Sequence, residues 1–134
     1  MVITKKTEYA LRALYEIAVT GNDKPVQRKY IAKRQNISEH LLEQIFICLQ
    51  KEGIVRSVRG PGGGFLLSKS IEEITVWDIF RVIDKKEGFY EQCNVDNNNC
   101  DQLTVCKINQ IWPQINSALK ESMLKISLKD IVEN

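Results

Sequence analysis

The chain has 134 residues, of which 43% are hydrophobic and 27% are charged. This size and balance predict one ordinary soluble domain, and the lack of any apolar run approaching about eighteen residues excludes a membrane-spanning helix. The formal net charge of +2 indicates no particular partner by itself.

The N-terminal segment predicts a helix and gives no sign of export. Its first residues, Met-Val-Ile-Thr-Lys-Lys-Thr-Glu, lack the apolar stretch and the small-residue cleavage site of a secretory signal. We therefore expect a cytoplasmic protein. Thr4 can cap a helix over residues 4–20, because apolar side chains recur there at helical spacing.

Two further helices are predicted, with a tight turn between them. The first covers residues 26–35, with Val26, Tyr30, Ile31 and Ala32 facing inward. Ser38 then has the form of an N-cap for the next helix, since its hydroxyl can accept from a backbone N–H of the first turn. Gly53 is a typical C-cap and ends that helix.

A hairpin follows the third helix. Two β-prone runs, residues 54–59 and 65–68, flank the loop Gly60-Pro61-Gly62-Gly63-Gly64. Four glycines and one proline between such runs predict a hairpin with a flexible tip. Three short helices and a hairpin in this order predict a winged helix-turn-helix, a mainly α fold with a small β-hairpin wing.

The C-terminal part predicts helices on either side of a loop. Thr75 opens a capping box and a helix to about residue 83, and the polar, Asn-rich residues 87–103 predict a loop. A long helix from about residue 104 has an apolar face wide enough to need a partner, so a symmetric dimer is expected. Pro113 conflicts with a helix interior unless the helix starts near it. Ser127 opens a last short helix with a capping box.

Charge divides the chain into two unlike halves. Residues 1–70 hold 12 Lys and Arg against 6 Asp and Glu, a net charge of +6. Residues 71–134 hold 7 against 11, a net charge of −4. A basic half joined to an acidic half suggests that the first meets a polyanion and the second has another role, although chance clustering of surface charge is the alternative.

The start of the third helix offers side chains for reading DNA. A helix-turn-helix lays its second helix in the major groove, where residues near its N-terminus reach base edges. Gln44 can pair with adenine, and Glu43 can accept from the cytosine amino group. The alternative is that both are ordinary solvated residues on the surface of the helix. The polar candidates on this helix are Ser38, Glu39, His40, Glu43 and Gln44, and Leu41 lies among them.

The second helix and the hairpin supply the remaining candidates for DNA contact. Arg28 and Lys33 suit phosphate contacts, which add affinity without sequence information. Arg59 can enter the adjacent minor groove from the wing. Gly60 and Gly62 let backbone amides approach phosphates without obstruction by a side chain.

The four cysteines are unevenly placed. Cys93, Cys100 and Cys106 fall within fourteen residues, whereas Cys48 lies alone among apolar residues and is predicted to be a small buried hydrophobe. Three thiolates on one polar loop of a cytoplasmic chain favour an iron–sulfur cluster. Zinc, which prefers four ligands with close Cys-x-x-Cys pairs, and unligated reactive thiols remain alternatives.

Several of these segments resemble one known family. Residues 37–46, 49–55 and 57–67, with the wing Arg-Gly-Pro-Gly-Gly-Gly, strongly resemble the IscR/NsrR-type iron–sulfur transcriptional regulators of the Rrf family. Tyr9-Ala10 and the placement of the three cysteines resemble that family too. The resemblance covers essentially the whole chain. It implies a homodimeric winged-helix transcription factor with crossing C-terminal helices and a cluster in the loop before the long helix.

The resemblance also implies a set of cluster ligands. Cys93, Cys100 and Cys106 match the cluster cysteines of the family. IscR-like members add a histidine at the position of Asn109, which is a poor iron ligand, whereas NsrR-like members use a carboxylate of the partner's first helix at the position of Glu8. We therefore hypothesise that Glu8 completes the cluster across the dimer. Water, a small thiol and two acidic residues of the loop remain open as ligands, the latter being Asp96 and Asp101.

We interpret residues 1–70 as a DNA-binding domain and residues 71–134 as a cluster-binding loop with dimerisation helices. The expected protein is a cytoplasmic repressor, not an enzyme, with a DNA operator and a second copy as partners and no membrane. A 2Fe–2S or 4Fe–4S cluster controls its operator affinity in response to redox state, nitric oxide or iron–sulfur status. The alternatives are a thiol- or zinc-based DNA-binding sensor and a small iron–sulfur electron-transfer protein.

Overall fold

The computed structural model of the protein describes residues 3–21, 23–85 and 107–134. A two-stranded antiparallel hairpin stands between three N-terminal and three C-terminal helices, and a 3₁₀ turn at Ile108–Gln110 precedes the fifth helix. These elements confirm the prediction of a mainly helical fold with a wing. They are α1 Lys5–Thr20, α2 Arg28–Gln35, α3 Glu39–Lys51, β1 Val55–Val58, β2 Gly64–Leu67, α4 Val76–Asp84, α5 Ile111–Leu124 and α6 Leu128–Glu133.

Hydroxyl side chains cap four helices, as the sequence predicts. Each accepts a hydrogen bond from the backbone N–H of the third helical residue, which would otherwise lack an acceptor. In α4 and α6 an aspartate completes a capping box. The caps are Thr4 for α1, Ser38 for α3, Thr75 for α4 and Ser127 for α6.

The second helix begins later than predicted. Val26 lies in extended backbone and exchanges two hydrogen bonds with Phe65 of β2, each 2.9 Å from N to O. This bridge keeps Val26 out of a helix, and α2 therefore starts at Arg28. Of the residues of α2 predicted to face inward, Ile31 is buried, whereas Tyr30 is 42% exposed and its prediction is wrong.

The fifth helix is shorter than the predicted long helix. It begins at Ile111, which makes Pro113 its third residue. Because the first four N–H groups of a helix have no intrahelical acceptor, proline costs nothing in hydrogen bonds there. The predicted loop over residues 87–103 lies outside the described residues.

One hydrophobic core joins α1, α2, α3, the base of the wing, α4 and α6. Phe46 of α3 stacks on Phe65 of β2 with ring centroids 4.0 Å apart and planes 6° apart. Residues from both sides of position 70 share this core, so the division into two functional parts stays a prediction. A smaller apolar contact, made by Trp77, Phe80 and Met123, joins α4 to α5.

Among the described helices, none combines the length and the apolar character required to cross a lipid bilayer.

The first and last helices pack together, as α6 lies against α1. The N-terminal ends of α4 and α6 are also held side by side. The N–H of Val76 donates to the carbonyl of Ile126 at 2.9 Å, and the N–H of Leu128 donates to that of Ile74 at 2.7 Å.

Candidate nucleic-acid interface

The N-terminal half of α3 presents a row of polar side chains. Ser38 Oγ accepts from the backbone N–H of Leu41 at 3.1 Å and fixes the first turn. One turn further on, Gln44 Nε2 lies 3.2 Å from His40 Nε2. The opposite face of α3 is buried, so the polar row is turned outward. The predicted base-reading residues are all exposed, namely Ser38, Glu39, His40, Glu43 and Gln44.

The structure brings together Arg28 of α2 and Glu43 of α3, the two helices of the helix-turn-helix. Arg28 Nη1 lies 3.8 Å from Glu43 Oε1, and both side chains are partly exposed. The Nε atom of Arg28 is buried and has no hydrogen-bond partner among the described residues. A carboxylate beside DNA repels phosphates, and a neighbouring guanidinium offsets that repulsion. Arg28 is therefore placed to neutralise Glu43, in addition to the phosphate contact predicted for it.

The other cations of α2 differ in their environment. Lys33 is exposed and forms no ion pair with any described residue, so its charge is available to a phosphate. Arg34 Nε instead lies 3.9 Å from Glu16 of α1. Glu16 is buried and accepts a 2.6 Å hydrogen bond from Gln35 Nε2. This carboxylate therefore holds the C-terminal end of α2 against α1.

The tip of the wing depends on backbone conformations that glycine favours. Gly60 and Gly62 have φ values of +96° and +75°, and the turn closes through the N–H of Gly63, which donates to the carbonyl of Gly60 at 2.9 Å. At Gly64 the requirement is also steric, because a Cβ there would lie 2.4 Å from the carbonyl oxygen of Val26. Arg59 is exposed at the start of this tip.

Sequence reasoning missed two residues of this surface. Ile47 is 60% exposed and lies four residues after Glu43, on the same helical face as the polar row. Arg56 is exposed on β1, directly after the buried Val55. Helical spacing from Glu43 and strand alternation from Val55 are the signals that could have found them.

Glu8, the proposed ligand of α1, lies in an ionic network within its own helix. Its carboxylate is 2.9 Å from Lys5 Nζ and 2.6 Å from Arg12 Nη2. Hydrogen bonds from Lys5 and then from Arg12 lower the pKa of Glu8, and the Lys5 pKa is raised in return. The carboxylate is therefore held in its ionised form, and its side chain is partly exposed.

A second oxygen lies unused near the cysteines in the sequence. Asn109 Oδ1, three residues after Cys106 in the sequence, is buried and accepts no hydrogen bond from the described residues. Burial of an amide oxygen without a donor costs free energy. Each of these two oxygens, Asn109 Oδ1 and the Glu8 carboxylate, is suited to a polar or metal-containing group, and they lie on different elements, the 3₁₀ turn and α1.

Comparison with known proteins decides the family. Residues 3–134 match the Rrf2 family, whose description is "Iron-dependent Transcriptional regulator". The chain belongs to the Rrf2 family. The resemblance identified from the wing and the recognition helix is thereby confirmed.

Relatives and solved structures of Rrf2-type regulators match over the full length of the chain. The transcriptional regulator IscR of Pectobacterium carotovorum is 34% identical over 134 residues, which cover 100% of this chain and 80% of the relative. Protein rrf2 of Nitratidesulfovibrio vulgaris is 32% identical and is covered to 89%. CymR, the global cysteine regulator of B. subtilis, superimposes with a TM-score of 0.82 at 30% identity, covering 99% of this chain and 97% of that one. IscR of T. potens gives a TM-score of 0.78 at 29% identity, covering 99% and 87%.

This Rrf2-family protein is accordingly a DNA-binding transcriptional regulator and not an enzyme. Its three predicted cluster ligands, Cys93, Cys100 and Cys106, lie outside the described residues. Within residues 3–21, 23–85 and 107–134, no three His, Cys, Asp or Glu side chains converge to hold a metal ion. Cys48 is a free thiol that packs against the core but is only partly buried, so the prediction of a small buried hydrophobe is corrected to a partly buried one.

Proposed function

We propose that this Rrf2-family regulator is a cytoplasmic, homodimeric repressor whose operator affinity is controlled by an iron–sulfur cluster. The observation that carries the proposal is the occurrence of three cysteines within fourteen residues in a member of an iron-dependent family. Residues 1–70 bind DNA, and residues 71–134 hold the cluster and the dimer contact. The signal is redox state, nitric oxide or iron–sulfur status.

DNA binding uses the outward face of α3 and the wing. The exposed first turns of α3 enter the major groove, where Gln44 pairs with adenine and Glu43 accepts from the cytosine amino group. Arg59 enters the minor groove at the tip of the wing. Arg28 and Lys33 contact phosphates, and the backbone at Gly60 and Gly62 does the same. The exposed positions Ser38, Glu39 and His40 complete the surface.

Dimerisation uses the uncovered face of α5 and the 3₁₀ turn before it. Ile108, Ile111 and Ile115 are 59%, 44% and 39% exposed, and their spacing of three and four residues places them on one face. Adjacent exposed isoleucines are unfavourable in water, and a second copy of the same face covers them under two-fold symmetry.

The cluster ligands are Cys93, Cys100 and Cys106, with Glu8 of the second copy. Thiolates suit the iron of a 2Fe–2S or 4Fe–4S cluster, and such a cluster supplies iron that reacts with oxidants or nitric oxide. The Glu8 carboxylate is ionised at neutral pH like an ordinary glutamate, and its lowered pKa reflects its present partners Lys5 and Arg12. It must release Lys5 and Arg12 to reach iron, and these two pairs lie at the protein surface, where ion pairs contribute little free energy.

The central experiment counts iron and sulfide in anaerobically purified protein and records its Mössbauer spectrum. A salt-dependent gel shift then compares operator binding by the cluster-loaded and cluster-free forms. We expect brown protein and two different affinities. Colourless protein whose DNA binding responds to oxidants would establish the thiol- or zinc-based sensor instead. A cluster-containing protein whose two forms bind the operator equally would overturn control by the cluster.

The ligand assignment of Glu8 has its own test. Glu8→Ala is expected to change the visible absorbance, the midpoint potential and the air stability of the cluster, because one iron loses its protein ligand. The control is Glu72→Ala, which also removes an exposed ion pair, the 3.6 Å contact with Lys129. If the two variants hold clusters with the same three properties, Glu8 is not a ligand.

A further inference from the structure

Carboxylates complete the N-caps of two helices from within the same helix. In α4, Asp78 accepts from the backbone N–H of Thr75 at 3.0 Å and from its hydroxyl at 2.8 Å. In α6, Asp130 accepts from the corresponding groups of Ser127 at 2.7 and 2.9 Å. Because the acid lies three residues after the cap, these interactions form whenever the helix itself forms.

Helix α1 obtains the same interactions from another helix. Its third residue, Thr7, has a hydroxyl in place of the carboxylate that a capping box requires. The carboxylate comes from Asp84, the last residue of α4, which accepts from the Thr4 hydroxyl at 2.5 Å and faces the Thr4 N–H at 3.4 Å. The hydroxyl of Thr7, a fully buried residue, also donates to Asp84 at 2.9 Å.

The N-cap of α1 is therefore complete only while the C-terminal end of α4 lies in its present position. Asp84 and Thr4 are 80 residues apart in the chain, so folding of α1 alone cannot bring them together. If the end of α4 moves, two hydroxyls and one backbone N–H lose their acceptor together. Thr7 is buried, and its hydroxyl would then have no water to replace the carboxylate.

This contact lies close in the sequence to the residues proposed as cluster ligands. Asp84 precedes by nine residues the first of the three clustered cysteines, and Thr7 directly precedes Glu8. On its other sides α1 packs against α2, α3 and β2, the elements that carry the DNA-binding surface. The contact thus joins the helix that leads to the cysteines to the helix that supports the DNA-binding elements.

We propose that Asp84 is a positioning residue that couples the C-terminal end of α4 to the first turn of α1, and through α1 to operator affinity. This inference rests on the proposed function, because the cluster is what would move the end of α4. With Asp84 in place, the first turn of α1 is held against α4. When the end of α4 moves, the turn loses its acceptors and frays, and α1 transmits the change to α2 and α3.

The test compares Asp84→Asn with a matched control in the full-length protein. The control, Asp78→Asn, removes a carboxylate with equivalent partners at the other end of α4. The quantity measured is the ratio of operator affinities of the cluster-loaded and cluster-free forms. We expect Asp84→Asn to reduce the wild-type ratio by about fivefold, the factor for loss of one N-cap interaction, and Asp78→Asn to leave it unchanged.

Hydrogen exchange supplies a readout that does not depend on the cluster. In cluster-free protein, Asp84→Asn should speed exchange of the amides of Thr7 and Glu8, whereas Asp78→Asn should not. Equal affinities of the two wild-type forms would overturn the proposed function, and the exchange rates would still decide whether Asp84 holds α1. A wild-type ratio retained by Asp84→Asn, or unchanged exchange, overturns the present inference alone.

A second pair of variants covers the case in which Asp84→Asn fails to fold. Thr7→Val keeps the shape of the side chain but removes the hydroxyl, and Thr7→Ser keeps the hydroxyl. We expect the valine variant to reduce the affinity ratio and to speed exchange at Glu8, and the serine variant to resemble the wild type. Equal behaviour of the two variants contradicts the coupling role.

Discussion

Helices α3 and α5 have nearly the same length, 13 and 14 residues, and lie in opposite environments. Helix α3 buries Leu42, Ile45, Phe46 and Leu49, whereas α5 buries only Met123 among its residues. Both helices carry apolar residues at helical spacing. Periodicity therefore reveals that a helix has an apolar face, and the rest of the chain decides whether that face is covered.

The apolar face of α3 is covered by other elements of the same chain. Helices α1, α2 and α4 and strand β1 pack against it, and Phe65 of β2 lies flat on Phe46. Helix α5 contacts α4 through the apolar group of Trp77, Phe80 and Met123, with Lys120 Nζ 5.1 Å from the centroid of the Trp77 ring. Its isoleucines face outward, where the proposed second copy would lie.

The largest effect is expected for a charge on the uncovered face of α5. Ile115→Glu places a carboxylate of each copy in the proposed interface, and burial of unpaired charge costs several kcal/mol. The variant should sediment as a monomer at concentrations at which the wild type is a dimer. Ser117→Glu is the control, since Ser117 is exposed but turned by about 200° around the helix from Ile115. Dimers of both variants would contradict the interface.

The next effect concerns the cover of α3. Gly64→Ala brings a Cβ to 2.4 Å from the Val26 carbonyl and should disrupt the bridge that seats Phe65 on Phe46. We expect a loss of about 3 kcal/mol in urea unfolding, against about 1 kcal/mol for Gly62→Ala, which meets no atom within 4 Å but has φ +75°. Equal losses would show that backbone conformation, and not the close approach, determines the requirement at Gly64.

The outward face of α3 should show separate effects on affinity and on salt dependence. Gln44→Ala should cost about 1–3 kcal/mol of operator binding and relax the preference for one base pair. Lys33→Ala should weaken binding to all sequences and reduce the slope of log affinity against log salt by about 1. Lys125→Ala, an exposed cation that follows α5, should change neither property. Binding assays at several salt concentrations distinguish the three outcomes.

The smallest effect is a pH dependence at α6, the helix that follows α5. Hydrogen bonds from the backbone N–H and then from the hydroxyl of Ser127 lower the pKa of Asp130 below its ordinary value of 3.8. A carboxyl with a lowered folded pKa stabilises the protein above its unfolded pKa, and this stabilisation disappears as the pH falls through the folded pKa. Ser127→Ala should raise the pKa of Asp130 only part of the way back to its ordinary value, because the backbone N–H of residue 127 remains as a donor. Carboxyl ¹³C titration measures the shift, and an ordinary pKa in the wild type would contradict the capping box.

The local features of the fold could be predicted from the sequence. The caps Thr4, Ser38, Thr75 and Ser127 depend on a side chain and on a backbone amide three residues later, and all four are where the sequence places them. The wing follows from four glycines between β-prone runs. Such interactions are decided within a few residues, so the sequence carries them directly.

Contacts between distant residues could not be predicted in this way. The bridge from Val26 to Phe65 delays the start of α2, and the pairing of Arg28 with Glu43 joins two side chains assigned to different parts of DNA. Both depend on how the helices and the wing pack.

The parallel stack of Phe46 on Phe65 packs the base of the wing directly on the recognition helix. In the proposed dimer, this packing would limit how far the span between the major-groove and minor-groove contacts of one subunit can change. Differences among operators would then fall on the separation and rotation of the two subunits. The spacing between half-sites is therefore the dimension of recognition that the proposed dimer would adjust.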